Sequence, residues 1–263
     1  MYVKNIFPFQ SPSIKILNWN IQNPSLRRAI KQVEWIINIK PNVIILTEAK
    51  DSNGCRFITD KLNSIGYDAH LPTVKDSDYC VIIASRGFNS KIEKLNVNFL
   101  PHRLLCLKCD TFLGEVIFVG IYVPSRGPRE KRNVDKKKFQ EEVIKAFNDL
   151  SKENMLKNYV ICGDLNVIER NHIPSYTFFG EWEYTFYESF EKNRLIDVFK
   201  LLNPRLIEHS WVGRGGNGYR FDHIFVAEKL LKYVEGCSYV HEPRTYKLSD
   251  HSAMILNIKS DKI

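Results

Sequence analysis

Several short apolar runs in this chain end in a side chain that can hold a hard cation or a phosphate. Asn20 follows Ile16-Leu-Asn-Trp19, and Glu48 follows Val43-Ile-Ile-Leu-Thr47. Tyr122 closes the run from Phe118, while Asp164 and Asn166 follow Val160-Ile-Cys-Gly163. Asp222 lies in Tyr219-Arg-Phe-Asp-His, and Asp250-His251 directly precede the last apolar run. Phosphodiester cleavage needs this kind of set. Mg²⁺ prefers carboxylate and amide oxygens and keeps several waters. Glu48 and Asp250, helped by Asn20 and Asp164, are candidates to hold it, with Mn²⁺ a plausible substitute. Such an ion polarises a phosphoryl oxygen and stabilises charge on the leaving group. His251 suits a hydrogen bond to phosphate or a proton transfer, with a carboxylate such as Asp222 fixing its tautomer. Each position also has a plain structural reading. Asp164 can cap a β-turn, Ser249-Asp-His can open a helical turn, and Asn20 can satisfy loop backbone. One at a time, those readings are the better ones. Six strand ends of this kind in one chain are much harder to dismiss.

The elements that must bring these residues together are β-branched strands alternating with amphipathic helices. Strands are expected at 14–19, 42–47, 79–84, 116–122, 159–162, 220–226 and 253–258, with 103–109 a further candidate. Leu26, Ile30, Val33 and Ile37 share one helical face behind Ser25, a suitable N-cap. Phe139, Val143, Phe147 and Leu150 form a second stripe. Phe186 to Leu202 reads as two short helices broken near Asn193. Tandem strands at 79–122 and 209–226 argue for two packed sheets flanked by helices. Strand ends line crevices in layered α/β folds, so the polar termini can converge.

Composition narrows the class. Over 263 residues, a hydrophobic fraction of 44% and a charged fraction of 26% exclude disordered and fibrous chains. There is no internal repeat, low-complexity tract or Pro/Ser linker, so one domain over 14–263 behind an extension at 1–13 is the simpler reading. A net charge of +8 favours polyanionic partners, nucleic acid foremost. The six cysteines are scattered, two of them inside apolar runs, as expected of reduced thiols in a cytoplasmic, soluble protein. Cys106-Leu-Lys-Cys109 lacks the second pair that a zinc site needs, and in a strand its thiols point to opposite faces. No run has the length of a membrane span, and the N-terminus has no signal-peptide pattern.

Six segments carry a resemblance. Trp19-Asn-Ile, Leu46-Thr-Glu-Ala-Lys50, Gly120-Ile-Tyr-Val-Pro124, Gly163-Asp-Leu-Asn-Val167, Arg220-Phe-Asp-His-Ile-Phe225 and Ser249-Asp-His251 resemble, in order and spacing, the motifs of the endonuclease/exonuclease/phosphatase family. The likeness covers roughly residues 14–258. The exonuclease III and AP endonuclease branch is the most similar, through Tyr-Val-Pro after the central strand, Leu195-Ile-Asp-Val-Phe199 with Asn203-Pro, and His209-Ser-Trp211. The resemblance implies a four-layer α/β/β/α sandwich of two packed mixed β-sheets with the active site at one sheet edge. It implies Glu48 as principal metal ligand beside Asn20, and Asp164 as the residue that positions or deprotonates water. Asn166 and Tyr122 would hold phosphate, and Asp250 would bind metal or orient its neighbour. His251, paired with Asp222, would face the scissile phosphate. Two positions depart from the pattern. Gln22 stands where many members have Asp or Asn; its amide oxygen can still ligate, and it is expected among the DNA contacts. Ser125 replaces the Asn frequent in AP endonucleases, which bears on abasic-site specificity more than on the chemistry.

The segment Arg126 to Lys138 is strongly basic and directly follows the active-site strand. Charge runs are usually solvated faces, but here Arg126, Arg129 and Arg132 are expected to contact DNA backbone. Trp211 is a candidate for stacking on a base or walling a sugar pocket; Phe178, Phe179 and Trp182 are weaker ones. Gly213-Arg-Gly-Gly-Asn-Gly218 matches GxGxxG, but a strand follows it where a dinucleotide site needs a helix, so it is expected to be a hairpin turn. The sequence thus points to a Mg²⁺-dependent phosphodiesterase acting on DNA, as endonuclease or 3′ exonuclease, with AP-site repair a possible setting. It gives no protein partner and suggests a monomer. The same fold acting on RNA, a phospholipid or another phosphoester is the alternative, and a non-cutting nucleic-acid binder is the third class.

Overall fold

Strands β1 (Ser13–Asn20) and β2 (Val43–Ala49) are buried at nearly every position because both of their faces are covered. In the computed structural model, which describes residues 12–74, 78–127 and 130–260, alternate side chains go to different cores. Ile14 and Ile16 of β1, and Val43 and Ile45 of β2, face a central core; Leu17, Trp19, Ile44 and Leu46 face an outer one. Each such burial contributes roughly 1.5–3 kcal/mol.

The first sheet has the order β13 (Val234–Val240), β14 (Ala253–Lys259), β1, β2, β4 (Cys80–Ser85), β3 (Asp68–His70). The second runs β5 (Ser90–Glu93), β6 (Leu104–Thr111), β7 (Gly114–Tyr122), β8 (Tyr159–Asp164), β12 (Asp222–Ala227), β9 (Leu195–Asp197). A small hairpin pairs β10 (Trp211–Val212) with β11 (Gly218–Tyr219). Helices α1 (Leu26–Ile39) and α2 (Asn53–Ser64) cover the outer face of the first sheet, with Val33, Ile36 and Ile58 packed against it. Helices α3 (Glu130–Lys152) and α4 (Glu181–Lys192) cover the second through Phe139, Phe147, Phe186 and Phe190. Short helices α5 (Val198–Leu202) and α6 (Glu242–Thr245) precede the closing strands. The layers are therefore α/β/β/α, as the sequence led us to expect. Among the described residues, no helix is long and apolar enough to cross a membrane.

Both sheets are mixed. Among the described residues, only β1–β2 and β7–β8 are parallel, each pair joined through a helix. Asn20, Glu48, Tyr122 and Asp164 stand at or near the carboxyl ends of these four strands. Gly120 lets the sheets close. A Cβ there would lie 2.7 Å from Val81 and 2.9 Å from Ile45 of the facing sheet.

Some expectations need correction. In α1, Leu26 and Ile30 are 49% and 41% exposed; the buried face is Ala29, Val33 and Ile36. That face includes Gln32, whose amide donates to the carbonyls of Ile21 and Leu248 at 3.0 and 2.7 Å, so a polar residue disguised the true stripe. The break near Asn193 is real, but a strand, β9, separates α4 from α5, and α4 starts five residues earlier than read. The strand expected over 220–226 starts at Asp222, behind β11. Helix α2 and strands β3, β5, β9 and β13 were not foreseen. Cys106 and Cys109 do face different cores, all six cysteines are buried and free, and Gly213 to Gly218 is a hairpin turn.

Candidate active site

The two parallel pairs end around one amide. Asn20 Nδ2 donates to Glu48 Oε2 at 3.0 Å and to Asp164 Oδ2 at 2.8 Å, and lies 3.4 Å from His251 Nε2. Its Oδ1 accepts from the Gln22 backbone at 2.9 Å. Glu48 is aimed inward by a break in register between β2 and β4 at Leu46/Ala49, where its φ is +54°. A left-handed backbone at a non-glycine residue costs roughly 1–3 kcal/mol, and Asn23 N–H, donating to the Glu48 carbonyl at 2.8 Å, helps hold it. Asn166 also has a positive φ, +50°. Its N–H donates to Asp164 Oδ1 at 2.9 Å in an Asx turn, and its side-chain amide donates to the Val123 carbonyl at 2.9 Å.

Antiparallel pairing supplies the rest. Asp222 is registered opposite Asp164, at the amino end of β12. Ser210 Oγ accepts from its N–H at 3.1 Å, and Tyr239 Oη donates to its carbonyl at 2.6 Å. Asp222 Oδ2 lies 2.6 Å from His251 Nδ1, which leaves Nε2 facing Asp164 Oδ2 at 4.0 Å. The Ser249 hydroxyl locks this loop to β1, donating to the Asn20 carbonyl at 2.6 Å and accepting from the His251 N–H at 3.2 Å. Trp211 Nε1 donates to Asp250 Oδ2 at 3.0 Å.

Burial raises the Asp164 carboxyl to about 7, with the Asp222 charge adding to it and His251 and Asn20 opposing. Burial likewise lifts Glu48, against the Asn20 hydrogen bond and His251. For His251 burial disfavours the charge, but Asp222 and then Asp164 outweigh it and carry the imidazole up to about 10. Burial, then the charges of Glu48 and Asp164, pushes Tyr122 well above the usual phenol range, so it stays a hydrogen-bond donor.

These groups open on a cleft of about 400 Å³, bordered by Glu48, Tyr122, Asp164, Asn166, Asp250 and His251. Its far wall is aromatic: Trp211, Tyr219, Phe221 and the 46% exposed Phe178. A divalent cation fits this donor set. Asp250 Oδ1 and Asp222 Oδ1 are buried without any hydrogen-bond partner, and such oxygens ask for a proton or a hard cation. Asp164, Asp222 and His251 also offer atoms within 4.8 Å of one another. Nδ1 of His251 and Oδ2 of Asp222 are already committed to each other, which leaves Oδ1 of Asp222, Oδ1 of Asp250 and the Glu48 carboxylate as oxygens that could take a cation.

Arg126 and Arg132 line the cleft. Arg126 is also paired with the buried Glu183 at 2.5 Å, so the basic run is not simply a solvated face. Arg129 lies outside the described residues. Gln22 is not on the cleft; its Oε1 accepts from Arg28 at 2.9 Å and its backbone braces Asn20. Sequence reading passed over Tyr79, Tyr219 and Phe221 because aromatics on strand-like runs look like core. Ser210 and Ser249 fall within His209-Ser-Trp211 and Ser249-Asp-His251, but the groups their hydroxyls bind, the Asp222 N–H and the Asn20 carbonyl, are remote in sequence.

No protein-family model matches the sequence, and no curated protein matches it. Several solved structures share its fold. An AP endonuclease from Archaeoglobus fulgidus matches with a TM-score of 0.76 at 20% identity, covering 94% of this chain and 100% of that one. A 3′-5′ exonuclease from Neisseria meningitidis matches with 0.75 at 18%, again over 94% and 100%. An AP endonuclease from Leishmania major gives 0.73 at 18%, over 95% of this chain and 88% of that one.

Proposed function

We propose that this chain is a divalent-cation-dependent phosphodiesterase that cuts DNA, with one catalytic domain over 14–263 and Mg²⁺ as the cation. The observation that carries the reading is the meeting, in one cleft, of Glu48, Asp164 and the Asp222–His251 pair around Asn20. The matched folds add support, since their proteins are described as AP endonucleases and as a 3′-5′ exonuclease, and a 3′ phosphatase of that fold from Neisseria is bound to product DNA hairpin.

Glu48 and Asp250, with Asn20 beside them, would hold the cation, which when bound supplies charge stabilisation at the phosphoryl and leaving oxygens. The protein's own groups divide the remaining work. Asp164, ionised in part near neutral pH, takes a proton from water as the oxygen attacks phosphorus and a P–O ester bond breaks, the departing oxygen leaving with the bond's electron pair and taking a proton from solvent. His251, held cationic and oriented by Asp222, donates through Nε2–H to a non-bridging oxygen. Tyr122 donates its phenol proton to the phosphate, and Asn166 offers the amide hydrogen that Val123 does not use. The aromatic wall favours a nucleic acid over a soluble headgroup, because it presents faces on which a base or sugar can pack.

The test uses matched DNA duplexes, intact and abasic, with single-stranded DNA and RNA, in Mg²⁺, Mn²⁺ or chelator, and maps the cut ends. Cation-dependent DNA scission is expected. Cutting that persists in chelator, or no cutting with either ion, would sink the reading.

A further inference from the structure

Lys136 belongs to a triplet of lysines on α3, yet it is wholly buried, as is Glu183 on α4. Its ammonium donates to Glu183 Oε1 at 2.5 Å and to the Asn166 carbonyl at 2.7 Å. The other oxygen of Glu183 accepts from Arg126 Nη1 at 2.5 Å and from Gly180 N–H at 2.9 Å, at the start of α4. One buried carboxylate thus anchors a helix end, a cleft arginine and a lysine that reaches the cleft backbone. Lysine and glutamate are almost never fully buried unless paired, and well-packed apolar residues of similar volume often do as well or better for stability. Packing alone therefore does not explain the pair.

What the pair touches does. Asn166 has left-handed backbone, and only a few contacts fix it: N–H to Asp164, side-chain amide to Val123, and carbonyl to Lys136. We propose that Lys136 is a positioning residue that holds Asn166 in its phosphate-facing conformation, with Glu183 setting Lys136 and Arg126 at once. This rests on the reading of the cleft given above. Two phosphate-facing groups, Asn166 and Arg126, then share a single anchor outside the cleft. A shift of that anchor reaches both together.

The test compares Lys136→Met, Lys136→Arg, Asn166→Ala and the Lys136→Met/Asn166→Ala double variant in cleavage of the DNA that the native enzyme cuts, with melting curves alongside. Lys136→Met should lower kcat by about 10- to 100-fold, the scale of a misplaced catalytic group, with a much smaller change in KM. Lys136→Arg should restore part of it. In the Asn166→Ala background the same change should cost no more than about threefold, because the residues act in series. Multiplying losses overturn the proposal. If Lys136→Met folds poorly, Lys136→Met/Glu183→Gln removes both charges; it should melt closer to the native enzyme and stay as slow. Turnover that recovers with stability would mean Lys136 only supports packing. A readout without cleavage separates this proposal from the assignment of activity. In ¹⁵N spectra, Lys136→Met should move the Asn166 amide signals and speed their exchange. Unmoved signals overturn the positioning role whether or not the protein cuts DNA.

Discussion

Two clusters of buried charge lie close together in sequence at the amino end of β12, one around Arg220 just before the strand and one reached through Asp222, its first residue, and they are built on opposite principles. Around Arg220, Asp197 accepts from Nη2 at 2.7 Å and Glu169 from Nε at 3.1 Å, while Tyr187 Oη donates to Asp197 at 2.8 Å. Burial works against the charge on both acids, yet the fixed guanidinium outweighs it and both lie below the ordinary carboxylate range. Two residues on, Asp222 belongs to the cleft, where burial holds Asp164 and Glu48 above that range. The difference is a resident cation. The Arg220 cluster has one of its own, whose Nε and Nη2 are taken up by Glu169 and Asp197 while Nη1 is left without a partner. Among the described residues, the cleft carboxylates are ion-paired only to the proton-dependent charge of His251; Arg126 and Arg132 line the cleft but pair with Glu183 and Ser125 instead, and two carboxylate oxygens are left without partners. A site short of positive charge is prepared to receive it, as a divalent ion or as a proton in transit.

The sharpest way to break this contrast is at the cleft. His251→Ala or Asp164→Ala should lower kcat by about 10³-fold or more while DNA affinity in a gel-shift assay stays close to native. Near-normal turnover by either variant would remove the cleft's claim to chemistry. Next in size is Arg220→Met, which strands two acids in the core and should cost roughly 3–5 kcal/mol, a fall in Tm of about 6–20 °C by calorimetry. A mild effect would mean that the two clusters are alike after all.

The clusters should also answer pH with opposite sign. Asp197 and Glu169 are depressed, so their stabilisation is present above about pH 4, the unfolded carboxylate range, and is lost as pH falls further. Asp164 is raised, so its contribution is favourable in acid and is lost as pH climbs from about 4 through about 7. Without metal, Asp164→Asn should therefore raise Tm by about 2–4 °C at pH 8 and by less at pH 5. An equal rise at both values would count against a raised Asp164. Mg²⁺ should itself stabilise the native protein, by about 2.7 kcal/mol at a hundredfold excess over Kd, and Glu48→Gln should abolish most of that gain in melting experiments. The smallest effect expected is on salt: Arg126→Ala should reduce the slope of log K against log salt by about one unit or less.

The cleft residues were legible because they interrupt a strong pattern. Asn20, Glu48 and Asp164 are polar stops after strand-like runs, and strand ends are where layered sheets meet. Lys136 was not legible, since nothing local separates it from Lys137 and Lys138, and its partner Glu183 lies 47 positions away. Arg220 was read as part of a strand motif because its three acidic or phenolic partners are scattered from 169 to 197. Gln32 hid the inner face of α1 for the same reason: a buried polar group paired with distant carbonyls looks exposed in one dimension. The alternation of strand and helix patterns pointed to two packed sheets flanked by helices, and the family resemblance supplied the four-layer order.

Gly120 adds a last consequence. With no side chain there, the width of the gap between the two halves of the cleft is gauged by Ile45 and Val81, which touch the bare backbone from across the interface. Hydrocarbon thickness in the middle of the protein acts as a spacer for the distance between Glu48 and Asp164 at its rim. A change of volume among those aliphatics is expected to shift the separation of Glu48 and Asp164 as well as the packing of the core.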